Sequence, residues 1–291
     1  MATFVTVFVS GLALGSISAL VALGFIVTYK ATGIINFAQG GLVTLGGYLG
    51  YLTAVQFGLD WWVAYPVVVV LMFFVGVAVE RIVHAPLRSR PELVVVIATL
   101  GVGLVISAVL LEFYGTETRT LPALLPGKVV DIAGANIAAY DLVIIGVTAV
   151  GVTLLALMFN RTQLGRQFRA ASLDPEVAQL QGIPVKAFGM FAFGLGGALA
   201  AVAGLMLAPR ASLETNFGFT AMIAAFAAAV IGGFGRFAGV IVGALVLGLV
   251  EQLGTQYVAY QFKAVYPFAL MILIVAIAPR GVLGSQSRVR V

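Results

Sequence analysis

Residues 160–186 read NRTQLGRQFRAASLDPEVAQLQGIPVK, a polar island about one short helix long set between strongly apolar stretches. Its flanks, 142–158 and 187–207, approach the ~20 residues a helix needs to cross the hydrocarbon core of a bilayer. The island therefore fixes a place where the chain leaves the lipid. A chain that keeps such a segment in water has there a surface with which to touch a partner.

Composition agrees with that setting. Hydrophobic residues make up 62% of the 291-residue chain and charged residues 9%, with a mean hydropathy of +1.12. That is too little polar surface to cover a soluble globule, so the expected class is an all-α, polytopic membrane protein. The absence of cysteine excludes disulfides, thiolate metal sites and cysteine nucleophiles together. The opening MATFVTVFVSGLALGSISALVALGFIVTY lacks a basic n-region, and its apolar run is too long for a signal-peptide core, so it reads as a first membrane span. A pI near 9.6 and a net charge of +5 bring nucleic acid to mind, but the basic residues are dispersed rather than gathered in one stripe. Membrane topology explains them, and no nucleic-acid partner is expected.

Working outward from the island, nine apolar segments can be marked: 4–29, 33–55, 61–79, 93–111, 142–158, 187–207, 219–231, 237–253 and 264–278. The expectation is thus about eight to nine segments, with the short seventh a candidate for a broken or re-entrant element. With the N-terminus outside and every segment crossing, twelve of the sixteen lysines and arginines face the cytoplasm. They include Lys30, Arg81, Arg88, Arg90, Arg161, Arg236, Arg280, Arg288 and Arg290. Arg119, Lys128, Arg210 and Lys263 remain outside. This bias puts 160–186 and the C-terminus in the cytoplasm, and makes 112–141 an outer loop.

Gly11, Gly15 and Ala19 recur at i+4, as do Gly239 and Gly243, so helix backbones can approach closely there. The FGLGG at 193–197 reads as packing rather than as a phosphate cradle. No G-x-x-x-x-G-K-[ST] occurs, so the chain is not its own P-loop ATPase. The one histidine, His84, reads as a solvated loop imidazole, and no carboxylate pair or Ser/His/Asp set suggests catalysis. Movement of a substrate fits better than chemistry on it.

Inside the island, residues 174–181 (DPEVAQLQ) carry the marks of a short helix. Asp174 can cap it, Pro175 suits the first helical position, Glu176 suits the positive dipole end, and Gly182 with Pro184 stops it. Val177, Leu180 and Ile183 form an apolar ridge. A helix this short is unstable alone in water, so it docks either on its own protein, lying against the membrane face, or on a partner.

Elsewhere, Asn36 and Gln39 are amides in an apolar neighbourhood flanked by Gly33 and Gly40. They either hydrogen-bond between helices or line a translocation path at a break in the helix, where freed backbone groups can meet a zwitterion. Phe37 is a wall of that path or a packing residue. Glu251 is the carboxylate placed deepest by the segment map, and such residues usually face a bundle interior or an aqueous cavity. Glu80 and Glu112 are expected at span ends.

Three blocks in order resemble a known family. T-x-L-G-R-x-x-R-A at 162–170, followed by D-x-E-x-A-x-L-x-G-I at 174–183, resembles the coupling loop of the membrane subunits of branched-chain amino acid ABC importers. G-x-x-L-G-S-I-x-A-L-x-A-L-G at 11–24, running on to TGIINFAQG at 32–40, resembles the LivH-like branch of that family, as does AAVIGGFGRFAGVIVGALVLG at 228–248. The resemblance implies a single permease domain over 1–291. It also implies a second, related permease subunit, two cytoplasmic ATPase subunits that bind ATP and Mg, and an external substrate-binding protein. This chain would carry no cofactor of its own. By the same resemblance Asp174, Glu176, Val177, Leu180 and Gly182 belong to a coupling helix seated in the ATPase. Arg166 and Arg169 either anchor that contact or serve as positive-inside residues. The implied cargo is a branched-chain or other hydrophobic amino acid, with urea or short amides as the cargo of related importers. An ion-coupled secondary transporter is the other class, but it would ordinarily place several charges within the spans.

Overall fold

A computed structural model describes residues 2–132, 134–234, 236–278 and 281–282; the basic tail with Arg280, Arg288 and Arg290 lies outside the described residues. In chain order the elements are α1 (Ala2–Thr32), α2 (Gln39–Tyr51), α3 (Trp61–Val79), α4 (Ala85–Leu87), α5 (Glu92–Tyr114), β1 (Val129–Ile132), β2 (Ala135–Ala138) and α6 (Ala139–Arg161). They continue with α7 (Gln163–Leu173), α8 (Pro175–Leu180), α9 (Val185–Leu207), α10 (Phe217–Gly232), α11 (Phe237–Tyr257) and α12 (Tyr266–Ile277). π-helical turns at Leu52–Gln56 and Glu80–His84 extend α2 and α3.

Each of the nine apolar stretches carries a helix. Among the described residues, six are long and apolar enough to cross a membrane: Ala2–Thr32, Trp61–Leu87, Glu92–Tyr114, Ala139–Arg161, Val185–Leu207 and Phe237–Tyr257. α10 and α12 are apolar but shorter. The chain is a multi-pass, all-α membrane protein whose described residues add one small hairpin.

Small side chains decide which helix is central. Every residue of α1 from Gly15 to Thr28 is buried, as expected of a helix that is apolar on all faces, and α6, α9, α10 and α11 pack around it. A methyl group on Gly15 would come within 2.7 Å of the Ala244 carbonyl oxygen, and one on Gly248 would collide with the Gly15 backbone. Gly243 meets Ala228 and Gly232 across the α10–α11 seam, and Gly197 meets the Met72 carbonyl across the α3–α9 seam. In lipid there is no hydrophobic drive between helices, so this close backbone approach supplies the packing. The outer helices turn apolar side chains outward, among them Phe74, Leu104, Leu154 and Ile272.

The break in the bundle falls in the second apolar segment, not the seventh. α10 is an unbroken helix of 16 residues, whereas 33–38 is non-helical between α1 and α2. Gly33, at φ +75°, ends α1, and the Asn36 side-chain oxygen accepts from the Ala38 amide at 3.1 Å. Such a local side-chain turn competes with helix. α2 starts beside Gly196, the midpoint of α9, so it begins halfway along the bundle.

Two ends of the bundle are tied differently. At one, Arg210 donates to Asp141 on α6 and to Ser10 on α1, both at 2.8 Å. There the expected loop 112–141 contains the β1–β2 hairpin, in the register Val129 to Ala138 and Ile132 to Ala135, and Arg119 pairs through its backbone with Leu213. At the other end His84 corrects the sequence reading, since it is only 3% exposed, while Glu80, at the end of α3 as expected, is 1% exposed. Glu80 accepts from Arg88, which folds back over the π-helical turn, and His84 packs its ring on Phe193 at 5.1 Å.

Candidate functional site

Two places bring the singled-out residues together. The first is the break between α1 and α2. Gln39 is fully buried, and its side-chain amide donates to the Gly196 carbonyl at 3.1 Å. Gly24 on α1 makes this possible, because a Cβ there would occupy the space of the Gln39 amide nitrogen. Asn36 is 2% exposed, and its Nδ2, like Oε1 of Gln39, has no hydrogen-bond partner among the described residues. Unpartnered buried amide atoms are costly, and here they sit beside the start of a helix. The Gln39 amide bonds Asn36 and the Leu42 amide bonds Ala38, as the first amides of a helix lack partners within it. Gly40 and Gly41 follow, closely packed on Met222 and Gly103.

Phe37 is half-buried, and its amide donates to Thr99 on α5 at 3.1 Å. Its ring joins Phe25 at 6.2 Å and Phe226 at 5.7 Å, and Phe226 continues to Phe234 and Tyr29. Polar amides above an aromatic cluster can orient a small amphipathic solute by its polar end. Thr99 and the Gly196 carbonyl were not legible in the sequence, since nothing local marks either as a partner. Glu251 lies on α11, beside Gln252 and Gly248 that pack on Gly11 of α1, and it is 9% exposed. No hydrogen bond or ion pair joins it to residues 36–39 among the described residues.

The second place is the island. Asp174 accepts from the amides of Glu176 and Val177 at 3.1 and 3.0 Å, and Pro175 opens α8. Gly182 at φ +78° closes it: its amide bonds Gln179, and the Ile183 amide bonds Ala178, both at 3.0 Å. This Schellman arrangement satisfies the last carbonyls of the helix. α7, which the sequence reading missed, precedes it. Its signals are Thr162, whose hydroxyl accepts from the Gly165 amide at 3.1 Å, and the spacing of Gly165, Phe168 and Ala171, all buried.

Neither helix is long enough to persist alone, so the anchor matters. Phe168 is 3% exposed, edge-on to Phe159 at 5.0 Å and to Phe188 at 6.1 Å. Phe159 in turn stacks on Phe237 at 4.9 Å. One aromatic chain thus ties α7 to α6, α9 and α11. The expected ridge divides. Ala178 and Ile183 pack inward on this cluster, while Val177 and Leu180 face out, Leu180 at 88% exposure. Leu173 joins them at 87%. Arg166 and Glu176 are exposed, and Arg169 donates to Asn160 at 3.3 Å.

Residues 7–275 match the family described as Branched-chain amino acid transport system / permease component. The chain is 32% identical to the high-affinity branched-chain amino acid transport system permease protein BraD of Pseudomonas aeruginosa, over 95% of this chain and 94% of that one. It is 31% identical to the corresponding protein LivH of Escherichia coli, over 94% of each. A probable branched-chain amino acid transport permease protein LivH of Methanocaldococcus jannaschii is 30% identical over 91% of this chain and 88% of its own length. The family match over residues 7–275 and the relatives 30–32% identical over nearly the whole length agree, and the chain belongs to the LivH-like branched-chain amino acid transport permease family.

Proposed function

We propose that this chain is the permease subunit of an ATP-driven ABC importer for branched-chain amino acids, moved by alternating access. The observation that carries the reading is the outward face of Leu173, Val177 and Leu180 on helices bolted to the bundle by Phe168. Exposed leucines on a rigid, capped helix suit a groove in a partner. In this reading residues 160–186 are cytoplasmic, the N-terminus and 112–141 face outward, and the shorter α2, α10 and α12 complete the membrane domain beside the six long spans. The partners are a second, related permease subunit, two ATPase subunits that hold ATP and Mg, and an external binding protein. Movement of the ATPase groove pulls α8, and the aromatic chain passes the displacement to α6, α9 and α11. Substrate passes the α1–α2 break, where Asn36, Gln39 and the start of α2 offer polar groups and Phe37 an apolar wall; Glu251 acts from α11. The names of the relatives support the cargo.

The test is uptake by the complex reconstituted in vesicles with ATP inside. Labelled leucine, isoleucine and valine should accumulate, and urea and acetamide should not compete. Glu176→Lys with Leu180→Asp should abolish uptake and ATPase association while the chain still inserts. Uptake driven by an ion gradient without ATP, or unaltered assembly of the double variant, would overturn the reading.

A further inference from the structure

α6 and α11 both pack on α1, yet they diverge from one another beyond the Phe159–Phe237 stack. Between them, under α7, lies a cavity of about 1030 Å³. Its deep walls are apolar: Leu23, Val152, Leu155 and Ile241. Its mouth carries Lys30, Arg169 and Arg236 and no carboxylate, and none of the three cations has a carboxylate partner among the described residues. Lys30 instead rests its ammonium 5.4 Å from the centre of the Phe237 ring. From Lys30 to Leu23 the helix rises roughly 10 Å, so a charged rim tops an apolar cleft about half a leaflet deep.

We propose that this cleft seats an anionic phospholipid, its phosphate held by Lys30, Arg169 and Arg236 and an acyl chain laid between α6 and α11. The inference is independent of the cargo and needs only that the chain is embedded in a membrane. Basic pockets between membrane helices suit anionic headgroups. A zwitterionic amino acid fits poorly, because three cations face its ammonium with no acid to receive it. A second protein helix would have to bring its own carboxylates.

The experiment is native mass spectrometry of the purified full chain, titrated with palmitoyl-oleoyl phosphatidylglycerol or phosphatidylcholine. Phosphatidylglycerol should bind up to about a hundredfold tighter, at about 1 kcal/mol for each of the three basic side chains near the headgroup. Lys30→Gln with Arg236→Gln should bring the two lipids within about fivefold. Arg81→Gln with Arg90→Gln, exposed cations outside the cleft, should leave the preference intact. Ile241→Trp, which fills the cleft without changing charge, should weaken both lipids. If the double variant elutes as aggregate, Arg236→Gln alone and Ile241→Trp carry the test. Equal binding of the two lipids by the unaltered chain, a preference that survives loss of the cleft cations, or displacement of the lipid by leucine would overturn the proposal. So would a cross-link from Ala156→Cys to a second permease subunit in the assembled complex.

Discussion

Replacing Phe168 by alanine should loosen the whole island while leaving the bundle intact. A buried phenylalanine removes about 200 Å² from water, which at ~25 cal/mol per Å² is about 5 kcal/mol as an upper bound. Measured Phe→Ala losses run to ~3–5 kcal/mol. Because the ring lies at the edge of the bundle, between Phe159 and Phe188, about 3 kcal/mol is the expected loss. That energy holds down α7 and α8, which cannot persist undocked, so the undocked population should rise by about a hundredfold. Amide hydrogen exchange of the purified chain reads this directly. Amides of 163–183 should exchange up to ~100-fold faster, while those in the middle of α9 keep their rate. Leu164→Ala on the same helix, at a side chain 51% exposed, should change exchange less than about threefold. A Phe168→Ala chain whose island stayed protected within that same threefold would refute the anchoring argument.

The Glu80–Arg88 pair should respond asymmetrically. Arg88→Met strands a carboxylate that is 1% exposed and should cost ~3 kcal/mol, whereas Glu80→Gln frees a partly exposed guanidinium to reach water and should cost only about 1 kcal/mol. Thermal unfolding in detergent ranks the two, and the reverse order would contradict the burial. Gly24→Ala should cost roughly 1–3 kcal/mol by displacing the Gln39 amide, and Gln39→Ala should relieve the clash, so the two changes should be non-additive. Strict additivity in the same melts would count against their contact. Asp174→Ala removes the cap of α8 and should cost about 1 kcal/mol locally, seen as faster exchange of the Glu176 and Val177 amides; unchanged rates would argue that Pro175 and packing suffice.

Much of this was legible in the sequence, for physical reasons that can be named. Asp174, Pro175 and Gly182 act on backbone groups within a few residues, so their roles as cap, first-turn residue and stop could be read locally. The glycine repeats of α1 and α11 announced close packing, because nothing but a missing side chain distinguishes such a seam. What could not be read depended on distant partners. His84 looks like a loop residue until Phe193 covers its ring, and nothing near Glu80 in the sequence shows that Arg88 folds back onto it. The Val177–Leu180–Ile183 ridge splits because Gly182 turns the chain and aims Ile183 at the aromatic cluster. The break at 33–38 could be suspected from Gly33 and Gly40, but the bond from the Ala38 amide to the Asn36 side chain that holds it could not.

In the proposed function, transport turns on the island's encounter with a nucleotide-driven partner. A photoreactive side chain at position 180, in the complex assembled in native membranes, tests it most directly, and the chain's lack of cysteine allows Leu180→Cys to report its side of the membrane alongside. The expected result is a cross-link to an ATPase subunit, with the thiol reached by an impermeant reagent only in inverted vesicles. A cross-link to an external protein, or labelling of that thiol in intact cells, would contradict the account.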